Sequence, residues 1–411
     1  MPAPVHEDAE AEIARPSPRA DLKVSLLTGG RDKPYALGMA EALASQGIVL
    51  DFIGGDDVNG PVLHNSPRVN FLNLRRDQRP DASLANKIGR VVAYYWRLMR
   101  YAMRADPKVF HILWNNKFEW FDRTALLLYY KVLGKKIVFT AHNVNAGTRD
   151  ANDSWLNRLT LRIQYKLSDH VFVHTEQMKH ELLSDFGISE TNVSVIPFGI
   201  NNTLPNSRLT SAEAKRLLGL GSRDKTLLFF GNIAPYKGLE HLIAALIELS
   251  KQGRDYRLII AGKPKGCEDY WDGIRQTIAH TGLRKSVVQR IKYIPDEEAE
   301  IFFKAADVLA LPYVHIFQSG VLFLGYGFGL PVIAADVGSL REEIVEGETG
   351  FVFCAKNPVD LAKTIDRYFT SELFRGLDDR RQKIRNYANE RYSWAKVGET
   401  TRNVYERLLQ K

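Results

Sequence analysis

Cysteine is scarce in this 411-residue chain, and long apolar runs are absent from it. The two cysteines, Cys267 and Cys354, are too few for a disulfide scaffold and too far apart to indicate a zinc site. No apolar run reaches the ~18 residues that a transmembrane helix requires. With 45% hydrophobic and 25% charged residues, the composition excludes a disordered or collagen-like chain. We therefore expect a globular protein that works in a reducing cytoplasm.

The first 20 residues also lack the apolar core of a secretory signal. They are rich in acidic residues and proline instead. This composition predicts a disordered tail over residues 1–20.

The net charge of +8 is not concentrated in a basic arm. Residues 85–104 form the one strongly basic stretch, with five basic residues and no acid. Nucleic-acid binders usually concentrate Lys and Arg on a whole face with interleaved aromatics. We therefore do not expect a nucleic-acid partner.

Short aliphatic runs alternate with helix-like segments along the whole chain, and several of these runs lack polar alternation. That pattern is typical of parallel strands buried on both faces and joined by helical crossovers. A cluster of turn-forming residues near 200–210 separates two such halves. The pattern predicts an α/β protein with a domain over residues 21–203, a domain over 204–385 and a C-terminal helix over 386–411 that crosses back to the first domain. The ten predicted strands are residues 24–27, 49–53, 109–113, 137–141, 171–174, 193–197, 226–230, 258–261, 308–311 and 332–335.

Gly29, Gly30 and Arg31 follow the first predicted strand and precede a helix. Glycines there let a ligand approach the backbone, and the helix N-terminus presents free N–H groups to an anion. A tight turn that needs positive φ explains the same glycines equally well.

A second strand–glycine–helix segment contains Gly231, Asn232 and Lys237. A lysine in the first turn of a helix opposes the positive end of the helix dipole, and a bound anion would relieve that conflict. We predict that Lys237 binds a diphosphate as a point charge. The alternative is a lysine that extends into water.

Gln318, Ser319 and Gly320 lie where an apolar strand ends and an apolar helix begins. Their N–H groups predict a second anion seat, although a serine at such a place often serves only as an N-cap. His142 lies just past the end of a buried strand, where open parallel sheets bind ligands. His170 and His174 have no carboxylate in register, so we expect no metal site there.

Taken together and in this order, these segments resemble the retaining family-4-like glycosyltransferases of GT-B fold over nearly all of residues 21–411. The resemblance implies two Rossmann-like domains with an interdomain cleft that binds a nucleotide sugar. The resemblance is carried not only by the loops that contain Gly29, Gly231 and Gln318 but also by further turns, helix starts and C-terminal segments. Those matching residues are Asn143, Thr175-Glu176, 197–200, Gly238, Gly262, 296–298, 329–332, 338–350 with Glu342, and 392–394.

Two departures from that family pattern stand out. Its usual glutamate pair corresponds to Ile316 and Leu324 here, and its arginine beside the lysine corresponds to Asn232. The Gln318–Gly320 variant resembles a subset of such enzymes in polysaccharide assembly. It predicts a substitute polar contact to the donor.

The resemblance implies transfer of a sugar to an acceptor hydroxyl with retention of configuration. Lys237, Asn232 and His142 would serve catalysis, and Gly231, Gly262, Gln318, Ser319, Gly320 and Glu342 would bind the donor. Gly29, Gly30 and Arg31 would lie on the acceptor side. The chain has no Asp-x-Asp metal motif, so the expected cofactor is none, and Lys237 with helix termini would neutralise the diphosphate.

The basic stretch suggests the acceptor class. On a helical wheel, five cations share one arc with Tyr94 and Tyr101, an arrangement that suits a lipid headgroup interface. We predict contact with an anionic membrane that carries a lipid-linked glycan acceptor, at the inner face of the cell membrane; an ordinary solvated helix face is the alternative. The cations are Lys87, Arg90, Arg97, Arg100 and Arg104.

Two other functions remain open at this point. The same fold hosts sugar-nucleotide epimerases, and loss of the glutamate pair would also fit a protein that binds sugar nucleotides or glycans without turnover. Labelled nucleotide sugars would separate the three.

Overall fold

Two parallel β-sheets form the framework of the computed structural model. The structure describes residues 22–30, 32–77, 83–149, 153–199, 207–264, 266–316 and 318–410. Strands β1–β7 form the first sheet, in the order β3-β2-β1-β4-β5-β6-β7. They are β1 (Lys23–Leu27), β2 (Val49–Gly54), β3 (Val69–Asn73), β4 (Val109–Ile112), β5 (Lys136–Thr140), β6 (His170–Val173) and β7 (Val193–Val195).

The second sheet has the order β10-β9-β8-β11-β12-β13. In each sheet the order reverses at one point, between β1 and β4 in the first and between β8 and β11 in the second. Ligands of open parallel sheets bind at such switch points, beyond the carboxyl ends of the strands. The strands are β8 (Lys225–Phe230), β9 (Tyr256–Ala261), β10 (Val287–Arg290), β11 (Val308–Leu311), β12 (Val332–Ala335) and β13 (Gly350–Phe353).

Helices cover both sheets, and each domain has its own core of aliphatic and aromatic side chains. A π-helical turn, Asp122–Leu126, joins α4 to α5, and a 3-10 turn, Pro235–Lys237, precedes α10. In the first domain the helices are α1 (Lys33–Ser45), α2 (Pro61–His64), α3 (Leu84–Arg104), α4 (Glu119–Phe121), α5 (Leu127–Val132), α6 (Ala146–Arg149), α7 (Trp155–Leu167) and α8 (Glu176–Phe186). The later helices are α9 (Ser211–Leu217), α10 (Leu239–Lys251), α11 (Glu268–His280), α12 (Asp296–Ala305), α13 (Gly320–Gly327), α14 (Leu340–Glu343), α15 (Pro358–Thr370), α16 (Glu372–Arg375), α17 (Leu377–Arg391) and α18 (Trp394–Gln410).

The predicted α/β architecture of two doubly wound domains is confirmed, as is the C-terminal helix that returns to the first domain. Helix α18 packs along α1, and the Tyr405 hydroxyl hydrogen-bonds His111 on β4. The predicted boundary at residue 385 falls inside α17, which packs on α13 of the second domain. The boundary at residue 203 and the tail at 1–20 lie outside the described residues.

The chain crosses between domains at Trp394. Its indole lies over Gly38 of α1 and over Gly199, where a Cβ would come within 2.3 Å of the ring in each case. Phe198 of the linker also stacks on Phe323 of α13, with ring centroids 5.4 Å apart. These contacts hold the starts of α1 and α13 on opposite sides of one cleft. Among the helices the structure describes, none is both long and apolar enough to cross a membrane.

Candidate functional site

The glycine turn after β1 lies at the switch point of the first sheet. Gly29 and Gly30 both have positive φ, +62° and +71°. A Cβ at Gly29 would lie 2.4 Å from the Trp114 carbonyl oxygen, and one at Gly30 would lie 2.5 Å from the Arg75 guanidinium carbon. Positive φ favours glycine at both positions, and at Gly29 the Trp114 backbone also leaves no space for a side chain. Arg31, predicted on the acceptor side, lies outside the described residues.

Helix α1 begins at this turn with a carboxylate cap that the sequence analysis missed. Asp32 adopts a left-handed conformation, φ 40°, and accepts a hydrogen bond from the Tyr35 N–H at 3.2 Å. Desolvation by the surrounding protein raises the pKa of Asp32, and the negative charge of Asp296 across the cleft raises it further. Both carboxylates line the same interdomain cavity.

A cavity of about 220 Å³ opens between the two domains at this point. It lies between the starts of α1 and α13, and Phe198 and Gly199, which precede the second domain, form part of its lining. Two carboxylates and several apolar side chains line it, which suits a ligand with both hydroxyls and hydrophobic faces. The lining residues are Asp32, Pro34, Tyr35, Phe198, Gly199, Asp296, Gly320, Phe323 and Leu324.

His142, predicted as catalytic, lies at the end of β5 in a cluster of aromatic rings. Its imidazole stacks on the Trp114 indole, with centroids 4.1 Å apart and planes 4° from parallel. The Tyr35 ring contacts it edge-on at 4.6 Å. The Nδ1 atom of His142 lies 3.0 Å from Nε2 of His174, whose Nδ1 lies 3.2 Å from the Ile196 carbonyl oxygen. The ring is therefore held on both faces and at one nitrogen.

This chain of contacts assigns the tautomers. A carbonyl oxygen only accepts, so Nδ1 of His174 carries the proton, and its Nε2 accepts from Nδ1 of His142. Burial lowers the pKa of His174 to about 4. Burial, followed by the neighbouring His174, lowers the pKa of His142 well below its usual range. His142 is thus neutral near pH 7 and its Nε2, which is buried and unpartnered among the described residues, is an acceptor.

Beside His142, a second cavity of about 240 Å³ reaches into the first domain between α4 and α7. Its walls are mainly polar. Gln164 accepts from the Asn115 amide at 2.9 Å through its carbonyl, and its own Nε2 has no partner among the described residues. Arg123 donates to Asn157 at 2.8 Å, and its Nε is likewise buried without a described partner. These side chains leave donors for a polar ligand.

In the second domain, Gly231 follows β8 at the switch point. Gly262 packs directly on it, because a Cβ at Gly262 would lie 1.8 Å from the Gly231 carbonyl oxygen, and φ there is +151°. At Gly231 a Cβ would lie 2.9 Å from the Lys237 Nζ and 3.6 Å from a Val321 methyl. Gly231 therefore lies between the Lys237 ammonium and Val321 at the start of α13. Asn232 beside it is exposed.

Lys237 ends the 3-10 turn Pro235–Lys237 rather than beginning a helix, because Gly238 in a left-handed conformation separates the turn from α10. Its side chain is only 6% exposed, and Nζ donates to the Phe230 carbonyl at 3.2 Å. No carboxylate of the described residues lies within ion-pair distance of it. Burial lowers its pKa to about 8. The alternative of a lysine extended into water is thus wrong; a buried cation of this kind is stabilised by an anion.

The start of α13 lies beside Lys237. The N-terminal N–H groups of this helix receive no side-chain cap, since the Ser319 hydroxyl lies 3.3 Å from the Tyr313 hydroxyl instead. The Ser319 hydroxyl therefore does not cap the helix, and the N–H groups at the start of α13 are left for a ligand. Both amide atoms of Gln318 are buried without a partner among the described residues. Uncapped helix N–H groups and a nearby buried cation form an anion seat.

The departures from the expected glutamate pair are visible here. Leu324 lines the interdomain cavity, and Ile316 is buried in the core of the second domain. Glu342 on α14 is exposed, and its backbone carbonyl accepts from Arg391. The buried carboxylate of α14 is its neighbour Glu343, which accepts from the Tyr392 hydroxyl.

The basic arc predicted on α3 is not a uniform surface. Tyr94 and Tyr101 are turned inward, where their hydroxyls hydrogen-bond Asn116 and Asp51. Arg90 pairs with Asp77 at 3.2 Å, and Arg97 donates to the Leu74 carbonyl at 2.8 Å. Lys87 is half-buried, whereas Arg100 and Arg104 are exposed. The predicted tyrosine and cation face is therefore wrong in its arrangement, because the phenols and Arg97 satisfy polar groups of the protein. Within the described chain, no group of three or more His, Cys, Asp or Glu side chains is placed to hold a metal ion.

The lowered pKa of Lys237 predicts how nucleotide affinity depends on pH. Its pKa is 10.5 in the unfolded chain and about 8 in the free folded protein, so the ammonium is lost as pH rises through 8. A diphosphate at this position would bind the ammonium form, so its binding would take up a proton above pH 8. The Kd for UDP should then rise by up to about tenfold per pH unit between pH 8 and 10. Titration calorimetry in buffers of different ionisation enthalpy checks this; a Kd flat across that window contradicts it.

Two family models match the chain. One, described as Glycosyltransferase Family 4, matches residues 34–204, and the other, Glycosyl transferases group 1, matches residues 211–391. A D-inositol 3-phosphate glycosyltransferase of Corynebacterium diphtheriae is 24% identical over 396 residues, covering 90% of this chain and 88% of that protein.

Solved structures show the same fold. Sucrose-phosphate synthase from Thermosynechococcus elongatus superposes with a TM-score of 0.74 and 18% identity, covering 95% of this chain and 99% of that one. Anabaena HepE in complex with UDP and glucose superposes with a TM-score of 0.71 and 16% identity, covering 94% and 100%.

Proposed function

This chain belongs to the glycosyltransferases, with a Family 4 domain followed by a group 1 domain on a GT-B fold, and from that premise we propose its reaction. It transfers a sugar from a nucleoside-diphosphate sugar to an acceptor hydroxyl in the interdomain cleft, with retention of configuration. The observation that carries the proposal is the buried Lys237 ammonium, which has no carboxylate partner among the described residues and lies beside the uncapped start of α13.

The donor diphosphate lies between Lys237 and the first N–H groups of α13. When the bond between the anomeric carbon and the diphosphate oxygen breaks, negative charge grows on that oxygen. An ammonium and helix N–H groups in a water-poor site stabilise this charge more in the transition state than in the ground state. The acceptor oxygen bonds to the anomeric carbon on the same face, and the leaving phosphate oxygen takes the acceptor proton. Sugar transfer and release of nucleoside diphosphate are then balanced without a protein nucleophile.

The donor sugar lies against His142, whose Nε2 accepts from a sugar hydroxyl. The acceptor approaches from the first domain, on the side of the Gly29–Gly30 turn, and its polar groups enter the cavity lined by Gln164 and Arg123. Unpartnered donors in that cavity favour an acceptor that carries oxygen-rich groups. Cleft closure around both substrates would exclude water and limit hydrolysis.

We extend the proposal to a metal-independent reaction on a lipid-linked glycan in cell-surface or exopolysaccharide synthesis, at the cytoplasmic face of the membrane. Lys237 and the α13 start supply positive charge to the diphosphate, which supports metal independence. Relatives named for D-inositol 3-phosphate make that compound a second acceptor to test. Chelation by EDTA should leave the rate unchanged.

The test incubates the purified protein with labelled UDP-, GDP-, ADP- and dTDP-sugars, each with a polyprenyl-diphosphate-linked sugar, with D-inositol 3-phosphate, or with no acceptor. We expect nucleotide release that depends on one acceptor, with one retained product identified by NMR. An epimerised nucleotide sugar without acceptor product would contradict transfer and favour an epimerase. Binding of a nucleotide sugar without turnover on either acceptor would favour a non-catalytic binding protein.

A further inference from the structure

Three helical segments of the first domain, α3, the continuous α4–α5 and α7, lie side by side over one face of its sheet. Tyr95 of α3 stacks on Phe118, just before α4, with centroids 5.9 Å apart, and the Tyr129 hydroxyl of α5 donates to the Met99 carbonyl of α3. Arg123, in the turn between α4 and α5, hydrogen-bonds Asn157 of α7. The outward residues of α3, α4–α5 and α7 therefore form one continuous surface, here called the tryptophan face.

This face exposes large apolar side chains from all three helices. Trp96 is 62% exposed on α3, Trp120 63% on α4 and Trp155 76% on α7. Folded proteins rarely leave several large apolar side chains exposed together unless the surface binds something. The other exposed apolar residues of the face are Ile88, Val92, Met103, Leu128, Val132, Leu156 and Leu159.

The charges of the face are mainly positive. The exposed cations on the three helices are Arg100, Arg104, Arg158, Arg162 and Lys166. Of the acidic residues of the same helices and turn, Asp122 is buried against the Tyr95 hydroxyl, and Glu119, whose side chain is 40% exposed, pairs with Arg123. The Arg100 guanidinium lies 5.5 Å from the Trp96 ring centre, and Arg158 pairs with Asp153, just before α7.

We propose that the tryptophan face docks on an anionic lipid bilayer. Tryptophan is favoured at the membrane–water interface, and arginine binds phosphate headgroups while its stem covers apolar surface. An apolar face with an excess of exposed cations, whose partly exposed carboxylate Glu119 is paired with Arg123, matches an anionic lipid surface. The contact differs from the arc predicted from the sequence, since Trp96, Trp120 and Trp155 carry it rather than Tyr94 and Tyr101.

The position of the face relates it to the acceptor cavity. Trp120 directly follows Glu119, which lines that cavity, and Trp155 lies less than one turn from Asn157, which hydrogen-bonds Arg123 at the cavity wall. A bilayer in contact with these tryptophans therefore lies close to the acceptor side of the cleft. The docking itself requires neither donor nor acceptor, so it goes beyond the proposed transfer reaction and is testable without it.

The experiment measures cosedimentation of the full chain with vesicles of equal parts phosphatidylcholine and phosphatidylglycerol. Replacing Trp96, Trp120 and Trp155 together by serine should lower partitioning at least tenfold, while the melting temperature and the Kd for UDP stay unchanged. A matched triple variant of exposed apolar residues in the second domain, Leu217→Ser, Tyr293→Ser and Val359→Ser, should bind vesicles as the unmodified protein does. The paired variant Arg100→Gln and Arg104→Gln should weaken binding to anionic vesicles but not to pure phosphatidylcholine.

Vesicle binding that the tryptophan variant leaves intact would overturn the proposal. So would failure of the unmodified protein to bind vesicles combined with a dimer that the tryptophan variant makes monomeric, because the occupant would then be a second copy of the chain. Vesicle binding without sugar transfer would contradict the proposed reaction and leave this inference standing.

Discussion

Replacing Lys237 by methionine is expected to lower kcat/KM for sugar transfer by about 10³-fold. Methionine fills much of the same volume but carries no charge, so the leaving diphosphate loses the buried cation that the described residues place beside the start of α13. The N–H groups at the start of α13 remain and should sustain a residual rate. Steady-state kinetics with the donor identified by the turnover assay measure the effect.

The same substitution should not destabilise the protein. The Lys237 pKa of about 8, against 10.5 unfolded, means that the charged side chain costs about 3 kcal/mol of stability below pH 8. That cost is relieved as pH rises from 8 toward 10.5. At pH 7 the methionine variant should therefore melt at the same temperature as the unmodified protein or higher. A function gained at the expense of stability is the expected signature of a binding residue.

Lys251→Met, on the far end of α10 and exposed, removes a lysine without touching the cleft. It should leave both rate and melting temperature unchanged. Full activity of Lys237→Met would contradict the anion seat, and loss of activity with unfolding would assign Lys237 a structural role.

The ten strands predicted from the sequence all appear in the structure, and the three that escaped prediction, β3, β10 and β13, lie at sheet edges. The interior strands are buried on both faces and read as continuous aliphatic runs. Edge strands face solvent on one side, so β3 reads Val-Asn-Phe-Leu-Asn and β10 reads Val-Val-Gln-Arg, which resemble loops. Strand β13 begins with Gly350, which is packed against the Val332 carbonyl of its neighbour. Aliphatic runs therefore predicted the interior strands and the edge strand β7, but not the other three edge strands.

The site divides in a similar way. The loops with Gly29, Gly231 and Gln318 were predictable, because each follows a buried strand and the sheet order places strand ends of one domain together. The partners of those loops were not, since Asp32 meets Asp296, and His142 meets His174, only through folding. The sequence offered one usable signal for His174: it follows the buried strand β6, which lies next to β5, the strand that His142 follows.

The error on α3 has a specific cause. A helical wheel assigns cations and tyrosines to the solvent side of the helix. In the structure, however, the Tyr101 side chain turns inward and its hydroxyl donates to Asp51, and the Arg97 guanidinium donates to the Leu74 carbonyl. A buried phenol or guanidinium is acceptable once its polar atoms are paired. The exposed side of the helix was thereby left to Trp96 and its apolar neighbours.

His142→Phe is expected to lower kcat/KM by about 10²-fold with little change in fold. The phenyl ring can keep the stack on Trp114 and the edge contact with Tyr35, but it has no Nε2 to accept from a sugar hydroxyl. Stability should fall by only about 1–2 kcal/mol, the cost of leaving His174 Nε2 unpaired. Kinetics with the donor sugar and with its deoxy analogues measure the effect, because the analogue that lacks the contacted hydroxyl should react equally with both proteins.

Variants of His174 test whether transfer depends on the unprotonated Nε2 of His142 or only on the packing of its ring. In His174→Leu the Nδ1–H of His142 loses its acceptor, so the proton can move to Nε2 and turn the acceptor into a donor. We expect about a tenfold loss of kcat/KM. In His174→Gln the amide oxygen can accept from His142 and the amide nitrogen can donate to the Ile196 carbonyl, so activity should return. Nitrogen NMR of histidine-labelled protein should show unprotonated Nε2 in His142 of the unmodified protein and of His174→Gln. Equal activity in both His174 variants, with protonated Nε2 in His174→Leu, would show that the tautomer of His142 does not matter for transfer.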